Sequence, residues 1–518
     1  MSEQLKLDLD LIVLNCTLAT VEDVMQCDIG VKDEKVHSIV PQGSFAGLKA
    51  KKVIDAKGAL VTVSLFPTSV RVNYRHVLTF PKPGGIDAHV HLQEPPLFGL
   101  GSTADSFESG TRAAIAGGTT TIVAFAPQRK HEDSVLSTLA CAHERAHSQC
   151  YSDYSFHLII SNPCAKTLAE FPAFREMGIS SVKIYMTYEA LRLNDEQFLD
   201  VLFQARLHRV TTLVHAENDS VIAWMTKKLH ERQLYAPKYH TDSHPAIAEI
   251  EASYRAICLA EFIDTPILIV HVSNPRAVDN IRRAQAKGLP IYAETCPQYL
   301  FLSSENLDRP GLEGAKCVCS PPLRNKSDHE AIWAGLEDGT FTILSSDHSP
   351  FNFNDSTSGK GSSVTAERPD GQFHLIPNGF SGVETRMPLV LSADRLKIQR
   401  YVELTSTNPA KLYGMYPRKG ALMPGVSDAD FVIWYPDGSL DIAITNDILH
   451  HDVDYTPFEG HKVKQWPRYT VLRGQVVWDR EDGGVVGARG FGQFLHRTES
   501  MLAGSRSDGS WDVETAWV

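Results

Sequence analysis

The chain has no run of 18 apolar residues anywhere in its 518, so no segment of it reads as a membrane-spanning helix. Residues 1–10 are polar and acidic and lack the charged-then-apolar pattern of a secretory leader. A basic surplus is missing too: 50 Lys and Arg stand against 62 Asp and Glu, a formal net charge of -12. No basic stretch stands out, which argues against nucleic acid or an anionic membrane as a partner. The nine cysteines are odd in number and scattered, so they do not make a disulfide framework. Cys317 and Cys319 lack the second pair that would complete a zinc knuckle. These absences lead to the expectation of a cytoplasmic protein with buried, reduced thiols. What is present is an ordinary globular composition, 43% hydrophobic and 22% charged, long enough for one large core or two to three smaller ones.

The pattern of elements changes along the chain. Short strand-like runs and turns fill the first 60 residues, at 9–16, 28–31, 36–40 and 52–55. From residue 100 onward, apolar runs at 119–125, 155–160, 181–186, 211–215, 266–270, 289–293 and 342–345 alternate with helical stretches. The helical stretches include 106–116, 195–207, 246–262 and 275–286. With the run before His89, this makes eight β-then-α units and predicts a (β/α)8 barrel of the TIM type. Strand-like runs return at 431–434, 469–473 and 475–478. The expected architecture is α/β: a barrel over 83–424, and a small β-sandwich built from residues 1–62 and 425–518. Residues 352–371, rich in Ser, Thr, Gly and Asp, read as a mobile loop.

The ends of the barrel strands carry the chemistry, because barrel active sites sit at the C-terminal face. The run Pro83-Gly84-Gly85-Ile86-Asp87-Ala88-His89-Val90-His91 alternates with the period of a strand, so His89 and His91 point to one side. The run at 181–186 holds Lys183 among apolar neighbours, and those at 211–215 and 266–270 end in His215 and His271. The run at 342–345 leads into Asp347 and His348. Each alone has a plain reading: a hydrogen-bonded core histidine, a snorkelling lysine, a helix-capping aspartate. Together they place imidazoles, an amine and a carboxylate on one face. Neutral imidazoles and a carboxylate suit Zn, Mn or Fe. An ammonium beside a dication would be repelled, so Lys183 is useful there only without its charge. Reaction with carbon dioxide would convert it to a carbamate, an anionic oxygen ligand able to bridge two metals.

This set resembles the amidohydrolase superfamily with a binuclear site. Several phrases resemble its dihydropyrimidinase/hydantoinase branch of cyclic amidases. They are Lys183-Ile184-Tyr185-Met186-Thr187-Tyr188, His215-Ala216-Glu217-Asn218, Ala293-Glu294-Thr295-Cys296-Pro297-Gln298-Tyr299-Leu300, Ser320-Pro321-Pro322-Leu323-Arg324, Ser346-Asp347-His348 and Asn378-Gly379. Asn408-Pro409-Ala410-Lys411 and the run from His450 to Gly460 match it as well. The resemblance implies one metal on His89, His91, carboxylated Lys183 and Asp347, and a second on Lys183, His215 and His271. The expected ions are two divalent metals, Zn first, with a bridging hydroxide as nucleophile. It implies Tyr188 as oxyanion donor and Asp347 as proton shuttle. Backbone groups at Ser320 and Asn378 would hold the ring amide. The implied reaction opens the cyclic amide (imide) bond of dihydropyrimidines or 5-substituted hydantoins to give N-carbamoyl amino acids. The implied partner is thus a small cyclic ureide or imide, and the implied assembly a homodimer or homotetramer. Rival readings are an allantoinase, a dihydroorotase, or a scaffold relative that has lost catalysis. A dihydroorotase usually places an arginine shortly after the second histidine, where this chain has Gln93. A scaffold would have lost ligands, whereas all six ligand positions are kept.

Residues 63–82 depart from the resemblance. They lie just upstream of the histidines, where the branch runs almost directly from a strand like Gly58-Ala59-Leu60-Val61 into Pro83-Gly84-Gly85. The segment contains no Asp, Glu or Gly, unlike an ordinary surface loop. Val63-Ser64 can be encoded by GTAAGT, Leu78-Thr79 by CTNAC and Lys82 by AAG, the signals of a short intron. Its 20 codons make 60 nucleotides, in frame. The segment therefore reads as a translated intron, with a genuine insertion as the alternative.

Overall fold

Six strands precede the barrel in the computed structural model, which describes residues 8–19, 24–57, 59–62, 82–96, 103–436, 438–502 and 504. They are β1 (Leu9–Ala19), β2 (Val24–Lys32), β3 (Lys35–Pro41), β4 (Ala50–Asp55), β5 (Leu60–Thr62) and β6 (Lys82–Pro83). The barrel follows with β7 (Gly85–Val90), β8 (Thr119–Pro127), β9 (Asp153–Ile159), β10 (Ser181–Tyr185), β11 (Thr211–His215), β12 (Ile267–Ile269), β13 (Ile291–Thr295) and β14 (Ile343–Leu344). After it come β15 (Phe431–Trp434), β16 (Ile442–Ala443), β17 (Lys462–Val463), β18 (Pro467–Leu472), β19 (Gln475–Asp479) and β20 (Gly484–Val485). Strands β7 to β14 pair in sequence order, all parallel. The ring closes where Val90 bridges His348 and His91 N–H donates to His348 O at 2.7 Å.

The helices form where caps and spacing specify them. Asn194 accepts from Gln197 N–H at 2.9 Å, and the Gln197 side chain returns to Asn194 N–H, a reciprocal cap that starts Asp195–Leu207. Asn274 caps Pro275–Ala286, with proline in the first turn, where no donor is needed. The outer faces of the strands pack on these helices through Ile122, Val182, Val214, Ile257 and Ile281. The barrel interior is filled by Val123, Phe125, Tyr185, Leu213, Leu268 and Ile343.

The two chain ends build one unit. Its strands run β20-β19-β18-β15-β6-β5-β1-β2-β3, with β4 also paired to β1, as a ten-stranded sheet. A buried ionic cluster joins it to the barrel: Lys419 Nζ lies 2.6 Å from Asp153, 3.0 Å from Asp428 and 2.7 Å from Asp430. The chain beyond β20 returns to the base of the barrel. There Leu495 enters the interior cluster, and buried Arg497 donates to Ser155 Oγ and Ser181 Oγ, both at 2.8 Å.

Three expectations need correction. The alternation through β7 is interrupted by a register shift against β8 between Asp87 and Val90. Ile86 and Ala88 therefore face the interior while Val90 packs outward. His89 and His91, on either side of the outward Val90, still share one side as expected, and the irregularity turns that side inward, since a bulge re-aims side chains. The run 352–371 is a loop, but a pinned one. The Asp454 carboxylate accepts from Phe353 N–H at 2.6 Å and Asn354 N–H at 2.8 Å, and Lys360 is fully buried. The cysteines are free thiols, but not all are buried: Cys141 and Cys258 are exposed. The intron reading concerns residues 63–82, of which 63–81 lie outside the described residues. Lys82 pairs with Thr62 and with Val432.

Candidate active site and metal centre

Every predicted metal ligand sits at the C-terminal face. His89 lies in β7, His91 just beyond it and Lys183 inside β10, while His215 ends β11. His271 follows β12 by two residues and Asp347 follows β14 by three. Asp347 Oδ1 is 3.1 Å from His89 Nε2 and 3.6 Å from His91 Nε2. One ligand atom each from His89, His271 and Asp347 lies within 4.8 Å of the others. Lys183 Nζ is 2.9 Å from His89 Nε2 and 4.2 Å above the Phe125 ring. The His215 and His271 rings meet edge to face with centroids 4.5 Å apart. His271 and Asp347 adopt left-handed backbone, φ +39° and +53°, as does Tyr188 at +68°. Such non-glycine conformations cost about 1 kcal/mol or more each and are characteristic of functional sites.

Three buried carboxylates missed in the sequence orient the histidines. Glu294 Oε1 lies 2.6 Å from His89 Nδ1, Glu94 Oε1 2.7 Å from His91 Nδ1, and Glu217 Oε2 2.9 Å from His215 Nε2. Glu217 also meets His244 Nδ1 at 3.0 Å. A metal-ligating imidazole ordinarily has its second nitrogen on such an acceptor. The signal was present: Glu94 is three residues after His91, Glu217 two after His215, and Glu294 lies at the end of its own strand. Only the fold shows that Glu294 serves His89, 205 residues away.

The electrostatics fit a cation. Burial lowers the pKa of His91, His215 and His271, keeping their lone pairs free. Burial opposes the charge on Asp347, but the neighbouring His89, His91 and Lys183 hold its pKa at about 2. Burial also brings Lys183 down to about 8. Asp347, Glu94, Glu217 and Glu294 bring four carboxylates to a site with one amine. Among the described residues, His271 Nδ1 and Glu294 Oε2 are buried without a hydrogen-bond partner. This donor set suits divalent metal.

A cavity of about 660 Å³ opens over these groups. Across it, Asn378 Nδ2 donates to Tyr188 OH at 3.1 Å and to Ser320 Oγ at 3.0 Å. The three residues singled out for substrate thus form one polar cluster, contributed by three different loops. Burial pushes the Tyr188 phenol well above its usual range, so it stays protonated. Apolar walls come from Ile159, Leu191, Phe351, Leu375 and Ile376. Gln93 is exposed and is not among the lining residues.

Comparison with known proteins agrees with this geometry. The Amidohydrolase family model matches residues 81–477. A D-hydantoinase from Ralstonia pickettii is 37% identical over 493 residues, 94% of this chain and 99% of the relative. The structure of D-hydantoinase from Bacillus sp. AR9 superposes with a TM-score of 0.85 at 37% identity, covering 95% of this chain and 99% of that one. That of dihydropyrimidinase from Brevibacillus agri gives 0.84 at 36% identity, covering 94% and 99%. With its barrel, its strand-end histidines and this likeness over nearly its whole length, the chain belongs to the amidohydrolase family and, within it, to the hydantoinase branch.

Proposed function

We propose that the protein hydrolyses the cyclic amide bond of dihydropyrimidines or 5-substituted hydantoins, releasing N-carbamoyl amino acids. The observation that carries this reading is the facing of two clusters across one cavity: His89, His91, Lys183, His215, His271 and Asp347 on one side, Tyr188, Ser320 and Asn378 on the other. His89, His91, Lys183 and Asp347 would hold one divalent ion, and Lys183, His215 and His271 a second, with Lys183 carboxylated and Zn the leading candidate. When bound, such ions lower the pKa of water and polarise a carbonyl. Burial favours the neutral amine of Lys183, the form that reacts with carbon dioxide. Tyr188 O–H donates to the oxygen of the attacked carbonyl. Asp347, ionised at neutral pH, takes a proton from the attacking water and passes it to the leaving ring nitrogen. Ser320 and Asn378 hold the ring amide.

The dihydroorotase alternative needs a cation for the substrate carboxylate. Lys130 lines the cavity, but its Nζ is held by Glu189 O at 2.6 Å and Arg192 O at 3.3 Å. No arginine lines the cavity among the described residues. Turnover of dihydrouracil, dihydrothymine, hydantoin, 5-phenylhydantoin, allantoin and dihydroorotate, read as kcat/KM beside metal content, tests the reading. It expects the first four to lead and about two metal equivalents per chain. A metal-free protein inactive on all six would be a scaffold.

A further inference from the structure

Lys360 is a lysine that this mechanism does not use. It begins the short helical turn Lys360–Ser363 inside the pinned loop, and its side chain is wholly buried. Its Nζ donates to Pro377 O at 2.8 Å and to Val318 O at 3.3 Å. Burial pulls its pKa down to about 7, and the thiols of Cys319 and Cys317 beside it are themselves held protonated by burial and supply no counter-charge. An amine buried without a counter-charge is costly, and only its two carbonyl bonds offset that cost.

The placement of those carbonyls is informative. Pro377 immediately precedes Asn378, and Val318 precedes Ser320 by two residues. Val318 O also accepts from Gly379 N–H at 3.0 Å, so the two segments already touch. Gly379 has φ +123°, and a Cβ there would lie 2.3 Å from Ser349 O, so the turn is closely fitted on its other side. We propose that Lys360 is a positioning residue for substrate binding, tying the Ser320 and Asn378 segments into the spacing that receives the ring amide. It lies outside the cavity lining and acts only through those two segments. This inference rests on the functional reading above.

The backbone around Lys360 shows how its position is set. Lys360 N–H donates to Asn352 O at 2.9 Å and Gly361 N–H to Phe353 O at 3.1 Å. The next residues, Phe353 and Asn354, are the two held by the exposed carboxylate of Asp454. Asp454 therefore anchors the root of the loop from the surface, and Lys360, bonded back to that root, anchors it in the interior.

The test compares wild type with Lys360→Met, which keeps the length and removes the donor. Lys360→Met should raise KM for the best cyclic-amide substrate about tenfold or more, with metal content unchanged and kcat affected far less. Asp454→Ala, at an exposed site, should raise KM in the same direction by a smaller factor, and it decides the matter if Lys360→Met does not fold. A folded Lys360→Met with wild-type KM overturns the inference. So does a wild-type KM in Asp454→Ala when Lys360→Met does not fold. A wild type inactive on every cyclic amide overturns the functional reading and this inference with it. An active wild type separates the two.

Discussion

Replacing Tyr188 by Phe removes one oxygen from the cavity and little else. The ring would keep its place beside Tyr185 and His215, whose centroids lie 6.2 and 5.4 Å away. Asn378 Nδ2 would lose the phenolic acceptor at 3.1 Å but keep Ser320 Oγ at 3.0 Å, and its other N–H sits at the half-exposed cavity lining, where water can meet it. Fold and metal content should therefore hold. The phenol lies in the lining of the cavity, where substrate would meet it. Removing one such donor to a developing oxyanion costs about 100- to 1000-fold in kcat, or about 2.7–4 kcal/mol. The phenol is held protonated well above pH 10 by burial, so the wild-type alkaline limb should not report its ionisation. Steady-state kinetics on the best substrate, with metal analysis of the same sample, measures this. A kcat within a few-fold of wild type, with only KM changed, would show that the hydroxyl binds substrate and does not act on the transition state. Asp347→Asn should be slower still, since it removes a ligand and the proton shuttle together.

Lys183→Ala should lose metal and activity in parallel, and short carboxylic acids added to it should restore part of both; full metal with a wild-type rate would exclude the bridging role. Asp428 is buried, and although burial opposes its charge, Lys419, Lys35 and Arg418 hold its pKa at about 2. A carboxylate depressed in the folded state stabilises above its unfolded value near 4 and loses that contribution as pH falls through 2. Asp428→Asn should cost about 2 kcal/mol at neutral pH by denaturant titration and flatten the acid limb. Asp430 in the same cluster is shifted upward by burial, so it contributes in the opposite sense and does not supply the acid limb. Deleting residues 63–82 should leave solubility and activity at or above the full chain's. Thr62 is the ladder partner of Lys82, which the deletion removes, so the ends to be joined are Thr62 and Pro83, the residue after that pair. A mature transcript that retains these 60 nucleotides as its dominant form would refute the intron reading.

The sequence by itself determined the barrel, because its period-2 and period-3.6 segments alternate and several helices carry their own caps. Asp195–Leu207 and Pro275–Ala286 begin and end where their residues say they should. It also made the candidate ligand types legible, since a histidine or aspartate closing an apolar run is a local signal. Other features depend on residues far apart in the chain, and only the tertiary structure decided them. The bulge in β7 that turns both imidazoles inward arises from its pairing with β8. Glu294 reaches His89 across 205 residues, and Asn378 joins Tyr188 across 190. Lys360 looked like part of a mobile polar stretch because composition records only the average character of a segment. Its side chain is buried because Val318 and Pro377 supply two carbonyls in the interior, a coincidence that exists only after the loops have closed around it.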